Sequence, residues 1–367
     1  MPGAAPSGRR RHAPFPPPRS PMPESPSPSV PGNSAALLAA RDGAILCDLA
    51  PAAVLAIEGA DAASFLHGQL SSDVAGLDHD ACQYTSYNSP SGRMLANFVL
   101  WRAGPDPADG FRALLPGDIA AAVRKRLAMF VLRSKVTVTD VSAGLARYGV
   151  GGPRAADAMR AALGAAPPPF GVVRSDGVTV LGVPGPRFVV LAGTGQAAAI
   201  VTTLGAAAGI AGFDVWQWLT IRAGVPVITA ATQDKFIPQT ANWDLLGGVN
   251  FRKGCYTGQE IVARSQYLGR LKERLFAFRA PATPIVAGDR LYSAVFAEQP
   301  CGTVVNAARA PEGGIDLLAV LQLAAAADGD VRLGAPDGPR LVLLPLPYEV
   351  PAAAEPRPRV GDRPVRA

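Results

Sequence analysis

The sequence predicts an α+β protein of several lobes that ends in a small β-barrel-like domain. Three observations carry this. Up to Lys272, short strand and helix patterns alternate irregularly, without the regular βαβ series of a doubly wound sheet. After Lys272 helix signals become scarce. Short apolar segments ("ERLFAFRA", "CGTVVNAAR", "IDLLAVLQL", "RLVLLPLP") follow one another between Gly, Pro and acidic turns. Finally, a chain of 367 residues that is 49% hydrophobic can bury a sizeable core spread over two or three units.

Taken in order, "ILCDLAPAAVLAIE" gives two strands around a turn. In "GADAASFLHGQLSSDV", Asp61 is placed to cap a short helix whose apolar face holds Phe65, Leu66 and Leu70. "CQYTSYNSPSGRMLANFVLWRAG" reads as strand, turn, strand, with Asn88 to Gly92 supplying the turn. "GDIAAAVRKRLAMFVLRSKVTVTDV" is an amphipathic helix running into a strand. "PRAADAMRAALGA" is a helix and "VTVLGVPGPRFVVLAG" a hairpin. Gly193-x-Gly195-x-x-Ala198 has the shape of a dinucleotide fingerprint, with Asp214 further on. The "GIAGF" segment before Asp214 is a poor second strand, however, and no βαβ series surrounds the motif. A glycine turn leading into a helix is the better reading. The expected organisation is a Pro/Arg-rich disordered tail (1–34), a two-lobed α+β region (35–275), the barrel-like domain (276–350) and a second disordered tail (351–367).

The net charge of +6 does not mark a nucleic-acid binder. Residues 1–34 carry four Arg against one Glu, and residues 351–367 four Arg against Glu355 and Asp362, so the part between is close to neutral. Local clusters remain, at Arg124, Lys125, Arg126, Arg133 and Lys135 and again at Arg252, Lys253, Arg264, Arg270, Lys272 and Arg274. They suit a small anionic ligand at least as well as a polymer. No apolar run reaches the roughly 18–20 residues of a membrane span, and no apolar core follows Arg9–Arg11 as a secretory signal requires. The four cysteines are scattered, without a C-x-x-C pair, and no metal site is expected. A cytoplasmic monomer, with no membrane and no direct nucleic-acid contact, is the expectation.

The stretch "FRKGCYTGQEIVAR" (251–264) holds the densest chemistry. Thr257-Gly258-Gln259-Glu260 fits a capping box, with Thr257 at the cap and Glu260 reaching back. Cys255 then lies just before a helix N-terminus and next to Lys253, both of which favour a thiolate. Gly254 and Gly258 allow a tight turn or a close ligand. Two readings stand open: a reactive thiol, or a small buried cysteine in a turn. No neighbouring histidine in the stretch offers a base, which argues against a Cys-His hydrolase.

"KGCYTGQE" resembles the signature of the YgfZ family of folate-binding proteins, relatives of the glycine cleavage T-protein. "FLHGQLSSDV", "WQWLTIRAGVPVI", "FIPQTANWDLLGGVNFRKGCYTGQEIVAR" and "LPLPYEV" resemble it too, in order, over roughly residues 44–350. The resemblance implies a multi-lobed aminomethyltransferase-like fold around a cavity for tetrahydrofolate. It also implies a role in assembling or maintaining iron–sulfur enzymes, including tRNA-modifying ones, so that folate and iron–sulfur enzymes or their assembly machinery are the expected partners. Cys255 maps to the cysteine most tied to activity, with Lys253 beside it. Tyr256, Gln259 and Glu260 match the motif, and Trp216 matches an aromatic position associated with folate. A pterin wants a stacking face, which Trp216 could give, and its glutamyl tail wants cations, for which Arg93, Arg264 and Arg270 are candidates.

Two departures stand out. The paired aspartates of the T-protein strand fall on Leu95 and Ala96, which speaks against the alternative of a folate-dependent aminomethyl or one-carbon transferase. A tryptophan that some family members carry before the first core strand falls on Ala52. A vestigial scaffold and a direct RNA binder are the weaker readings, the latter because it needs a basic face with exposed aromatics.

Overall fold

The computed structural model describes residues 33–267 and 271–351. The proline-rich start and the Arg-rich end, read above as disordered tails, lie almost wholly outside the described residues, as does Arg270.

Helix α1 (Asn33–Asp42) leads into strands β1 (Ile45–Asp48) and β2 (Ala52–Glu58), then α2 (Ala62–Gln69), β3 (Cys82–Asn88), β4 (Met94–Arg102), β5 (Phe111–Pro116), α3 (Gly117–Met129) and β6 (Thr137–Asp140). Next come β7 (Leu145–Gly151), α4 (Ala155–Leu163), β8 (Val172–Ser175), β9 (Val178–Val183), β10 (Arg187–Gly193), α5 (Ala197–Gly205), β11 (Gly209–Ala211) and α6 (Phe213–Arg222). After a long stretch without strand or α-helix, α7 (Gln259–Tyr267) is followed by β12 (Glu273–Ala280), β13 (Arg290–Tyr292), β14 (Gly302–Arg309), β15 (Ile315–Gln322), α8 (Leu323–Asp328), β16 (Arg332–Leu333) and β17 (Val342–Leu344).

The strands form three sheets, ordered β11-β1-β7-β10-β9-β8, β3-β4-β5-β2-β6 and β16-β13-β14-β15-β12-β17. The only parallel pair among the described residues is β1 with β11. The expected α+β class is therefore met, and the last sheet is the curled, antiparallel C-terminal unit that the apolar segments after Lys272 predict.

β1 and β2 do not form a hairpin. The turn after Leu49 passes the chain from the first sheet to the second. Asp61 stands at the start of α2, but its carboxylate accepts from the Lys135 backbone N–H (2.7 Å) rather than capping its own helix. The glycine fingerprint is a turn, as preferred above: β10, which precedes it, pairs antiparallel with both β7 and β9. "GIA" before Asp214 does become a strand, the short edge strand β11.

Burial follows from the apolar periodicities. Phe65 and Leu66 of α2 join Ile119, Val123 and Leu127 of α3 against one face of the β2–β6 sheet. Met159 of α4 and Ile200 and Leu204 of α5 cover the β1–β7–β10 sheet. Helix α6 is enclosed between that sheet and the C-terminal one, through Trp218, Leu219 and Ile221 with Val189, Leu318 and Val320. A buried carboxylate ties it there: Asp316 of β15 accepts from Trp218 Nε1 (2.9 Å) and from Arg279 Nε (2.7 Å).

The stretch 223–258 is largely buried without a ladder to satisfy it, so side chains take over its backbone partners. Asn242 Nδ2 donates to Leu275 O (2.9 Å), Gln239 Nε2 to Val262 O (2.7 Å), and Arg274 Nη1 to both Gln239 O (2.8 Å) and the buried Asp244 (2.7 Å). This holds the "QTANWD" segment between the lobes. None of the described helices is long and apolar enough to cross a membrane.

Candidate functional site

Two separate places collect the residues singled out in the sequence. The first is a cavity of about 540 Å³ between the sheets, lined mostly by apolar groups together with Tyr84, Asn97, Arg187, Trp216, Thr220 and Trp243. Trp216 is there because the backbone of β7 leaves room for it. A Cβ on Gly149 would stand 2.5 Å from Trp216 Cε3, so only glycine lets the indole lie against the strand. Tyr84 and Trp243 supply a further aromatic wall, their ring centroids 4.8 Å apart. Ala52 lies in the lining too. At that position the cavity has a methyl group instead of a ring.

Arg187, which the sequence reading passed over, is the buried cation of this wall. Its Nη1 donates to Thr220 Oγ1 (2.7 Å), its Nε and Nη2 to Pro184 O (3.1 and 2.8 Å), and its guanidinium lies 5.3 Å from the Trp216 ring centroid. Thr220 Oγ1 in turn donates to Trp216 O (2.8 Å), so cation, hydroxyl and tryptophan form one unit on α6 and β10. Burial pushes the Arg187 pKa down, with Tyr84 acting in the opposite sense. The Tyr84 phenol is pushed up by burial, and the Arg187 charge offsets this in part.

Strand alternation turns Ala96 and Asn97 to opposite faces of β4, and a register shift opposite Tyr87 and Asn88 takes Leu95 out of that alternation. Leu95 and Ala96 pack with the core between the second sheet and its helices, whereas Asn97 lines the cavity. Its amide donates to Pro226 O (2.7 Å) and accepts from Ile228 N (2.9 Å). Among the described residues of β4, no carboxylate is offered to the cavity.

The second place is the 251–264 segment, outside the cavity lining. Asn250 shapes it as an Asx turn, its Oδ1 accepting from Arg252 N (2.8 Å) and Lys253 N (3.1 Å). Lys253 Nζ then reaches the C-terminal end of α2, donating to His67 O and to Leu70 O (2.7 Å), and stands 4.9 Å from the centroid of the Tyr256 ring. Lys253 thus caps the free carbonyls of a helix end and clasps the loop to α2. Burial lowers its pKa to about 8, and burial raises that of Tyr256 to about 12.

The expected capping box is not formed. Gly258 has φ +80°, outside the helical region, and α7 begins at Gln259. Thr257 therefore cannot be the residue directly before a helical turn. Gly258 serves contact instead: a Cβ there would stand 2.4 Å from Ser89 O and 2.9 Å from Gly92 Cα. The motif loop is pressed glycine to glycine against the turn between β3 and β4.

Of the four cysteines Cys255 alone is exposed, which excludes the reading of a buried turn residue. Burial pushes Cys47 and Cys82 up to about 12 and Cys301 to about 11, so these thiols stay protonated. His67 is the residue missed in sequence. Its Nε2 lies 3.7 Å from where a Cβ on Gly254 would stand. Its pKa is lowered by burial and by the Lys253 charge, with Asp73 opposing. Nδ1 is 3.3 Å from Asp73 Oδ1 and 3.4 Å from the Ala75 N–H. Only its place in "FLHGQLSSDV", one of the family-like segments, could have pointed to it.

The remaining candidates are scattered. Gln259 is half-buried at the start of α7, while Glu260 and Arg264 are exposed on that helix. Arg93 Nη1 donates to Lys235 O and walls a different crevice, with Asp234, Glu273 and Cys301. Arg93, Arg264, Tyr256, Gln259 and Glu260 are thus all outside the cavity lining, which leaves Arg187 as its basic group. Among the described residues, no three His, Cys, Asp or Glu side chains group closely enough to hold a metal ion.

Comparison with known proteins places this geometry. Residues 22–198 match the family model described as the GCVT N-terminal domain. The chain is 31% identical over 298 residues to the tRNA-modifying protein YgfZ of Edwardsiella ictaluri, covering 80% of this chain and 88% of the relative. It is 30% identical over 303 residues to the YgfZ of Serratia proteamaculans, covering 81% and 90%. The glycine cleavage system aminomethyltransferase T from Bartonella henselae superposes with a TM-score of 0.69 at 18% identity, over 85% of this chain and 88% of the other, which establishes a shared fold.

Proposed function

The chain belongs to the YgfZ family, and on that footing we propose that it is a tetrahydrofolate-binding accessory protein for iron–sulfur enzymes, tRNA-modifying ones among them. The observation that carries the folate reading is the cavity itself. Its size, its apolar lining, the Trp216 and Tyr84–Trp243 walls and the buried Arg187 suit a flat heteroaromatic with polar edges. Trp216 would give the stacking face, Asn97 and Arg187 the polar contacts. A reduced folate, when bound, supplies one-carbon or redox chemistry of its own. The aminomethyltransferase reading has less support, because β4 turns Asn97 rather than an acid toward the ligand space.

Cys255 is the working thiol on this reading. It is exposed on a loop that Lys253 and the Gly258–Gly92 contact hold rigidly, with the His67 imidazole alongside. Lys253 acts as a positioning residue. Tyr256, Gln259, Glu260, Arg93 and Arg264 would then serve the outer surface, where a partner enzyme or assembly factor meets the protein. The protein would act as a cytoplasmic monomer. That the relatives are named tRNA-modifying proteins supports the choice of clients.

The test is genetic. In a strain lacking the protein, wild type should restore the activity of iron–sulfur tRNA-modifying enzymes and Cys255→Ala should not, at equal abundance of folded protein. Full rescue by Cys255→Ala would remove the thiol from the account.

A further inference from the structure

We propose that Arg187 is the anchor of the cavity ligand, which presents an oxygen acceptor, carboxylate or carbonyl, to its guanidinium. The inference rests on the folate reading above and names the group of the ligand that this side chain takes.

Arg187 is 3% exposed and stands at the head of β10, where the hairpin from β9 meets α6. Its hydrogen-bond partners are neutral, Pro184 O and Thr220 Oγ1, with the Trp216 face beside it. Among the described residues, no Asp or Glu forms an ion pair with it. Of the other buried arginines, Arg274 is paired with Asp244, whereas Arg147, held by the carbonyls of Ser142, Leu145 and Ala50, is outside the cavity lining. A guanidinium keeps its proton under all ordinary conditions, so Arg187 is a charge removed from water without a counter-charge. Neutral acceptors return less than that removal costs. A glutamine could bridge Pro184 and Thr220 without the penalty, so hairpin pinning alone is a poor reason for arginine here.

What the charge faces explains it better. Arg187 lines the same cavity as Trp216 and is stacked on that ring. Pro184 O takes two of its five N–H groups and Thr220 Oγ1 one, which leaves donors for a ligand. An oxygen delivered into a mostly apolar cavity beside an unneutralised cation gains a charge-assisted hydrogen bond. A folate carries such oxygens in two places: the pterin carbonyl, and the amide carbonyl and carboxylates of its tail. The arginines expected from sequence to meet the tail are elsewhere, so Arg187 is the side chain positioned for the task.

Calorimetric titration under anaerobic conditions, with two ligands, tests this. Tetrahydrofolate carries oxygens in both places, whereas 6-methyltetrahydropterin lacks the tail. Arg187→Gln should weaken tetrahydrofolate roughly ten- to a hundredfold. An equal loss for the pterin identifies the ring carbonyl; a loss confined to tetrahydrofolate identifies an oxygen of the tail. Arg187→Lys keeps a cation but not the fork, and should lose about tenfold while folding normally; it decides the matter if Arg187→Gln unfolds. Folded variants that bind tetrahydrofolate as tightly as wild type would overturn the anchor while leaving the folate reading intact. Wild-type protein that binds neither ligand would overturn the folate reading, and the anchor with it.

Discussion

Replacing Gly149 by alanine is expected to dislodge the Trp216 ring and to weaken ligand binding. The added Cβ would stand 2.5, 2.7 and 2.9 Å from Cε3, Cζ3 and Cδ2 of the indole, against about 3.5–4.0 Å for carbon atoms in contact. The ring must therefore lift by about 1 Å. The backbone cannot yield instead, because Gly149 is paired with Cys47 on one side and Val189 on the other. Overfilling of this kind costs about 1–3 kcal/mol and should lower the melting temperature by about a few degrees. A stacking contact contributes about 0.5–1.5 kcal/mol, so the dissociation constant for tetrahydrofolate should rise about two- to tenfold. Gly144→Ala is the control: its added Cβ meets nothing within 4 Å, and both quantities should stay put. Titration calorimetry and thermal unfolding measure the two effects side by side. A Gly149→Ala protein that melts lower yet binds as tightly as wild type would refute Trp216 as the stacking face.

Four further outcomes follow from the same geometry. Lys253→Met strips the α2 carbonyls of their cap and should cost about 1–2 kcal/mol, given the partial exposure of the ammonium, with faster labelling of Cys255 by a disulfide reagent; unchanged urea unfolding and labelling would contradict the clasp. Since the Lys253 pKa is about 8 in the folded chain against an ordinary 10.5, the unfolded chain holds the extra proton between those values, so stability gains a contribution as pH rises from 8 toward 10.5 that Lys253→Met lacks; parallel pH profiles would count against it. Gly68→Ala, inside α2 with open space at its Cβ, should stabilise by about 0.5–1 kcal/mol, read as a higher melting temperature. Asp316→Ala leaves Trp218 Nε1 and Arg279 without their buried acceptor and should destabilise by about 3–5 kcal/mol; a change under about 1 kcal/mol in chemical unfolding would show that α6 is not held there.

Much of this was legible in the sequence. The strand and helix segments announce themselves by period, and the C-terminal sheet by the loss of helix signals after Lys272. The apolar content of α6 and the family-like "WQWLTIRAG" pointed to Trp216. What escaped was whatever depends on partners distant in sequence. Arg187 sits 29 positions before Trp216 in an ordinary-looking hairpin, and its meaning appears only where β10 meets α6. His67 lies far along the chain from Gly254, and only the clasp of Lys253 on α2 brings them together. The capping box failed for a related reason: Thr257 to Glu260 fits the local pattern, but contact with the Ser89–Gly92 turn demands φ +80° at Gly258, and tertiary packing overrides the local preference. The paired positions on β4 were offset, since alternation turns Ala96 away from the cavity and a register shift displaces Leu95, which leaves Asn97 in the lining.

The most direct test of the central claim is an anaerobic calorimetric titration of the wild-type protein with tetrahydrofolate. Saturable one-to-one binding, lost in Trp216→Ala, is the expected result. An absence of binding heat across a range of temperatures, from a protein shown to be folded, would contradict a folate cavity and leave the fold as a platform for Cys255 alone.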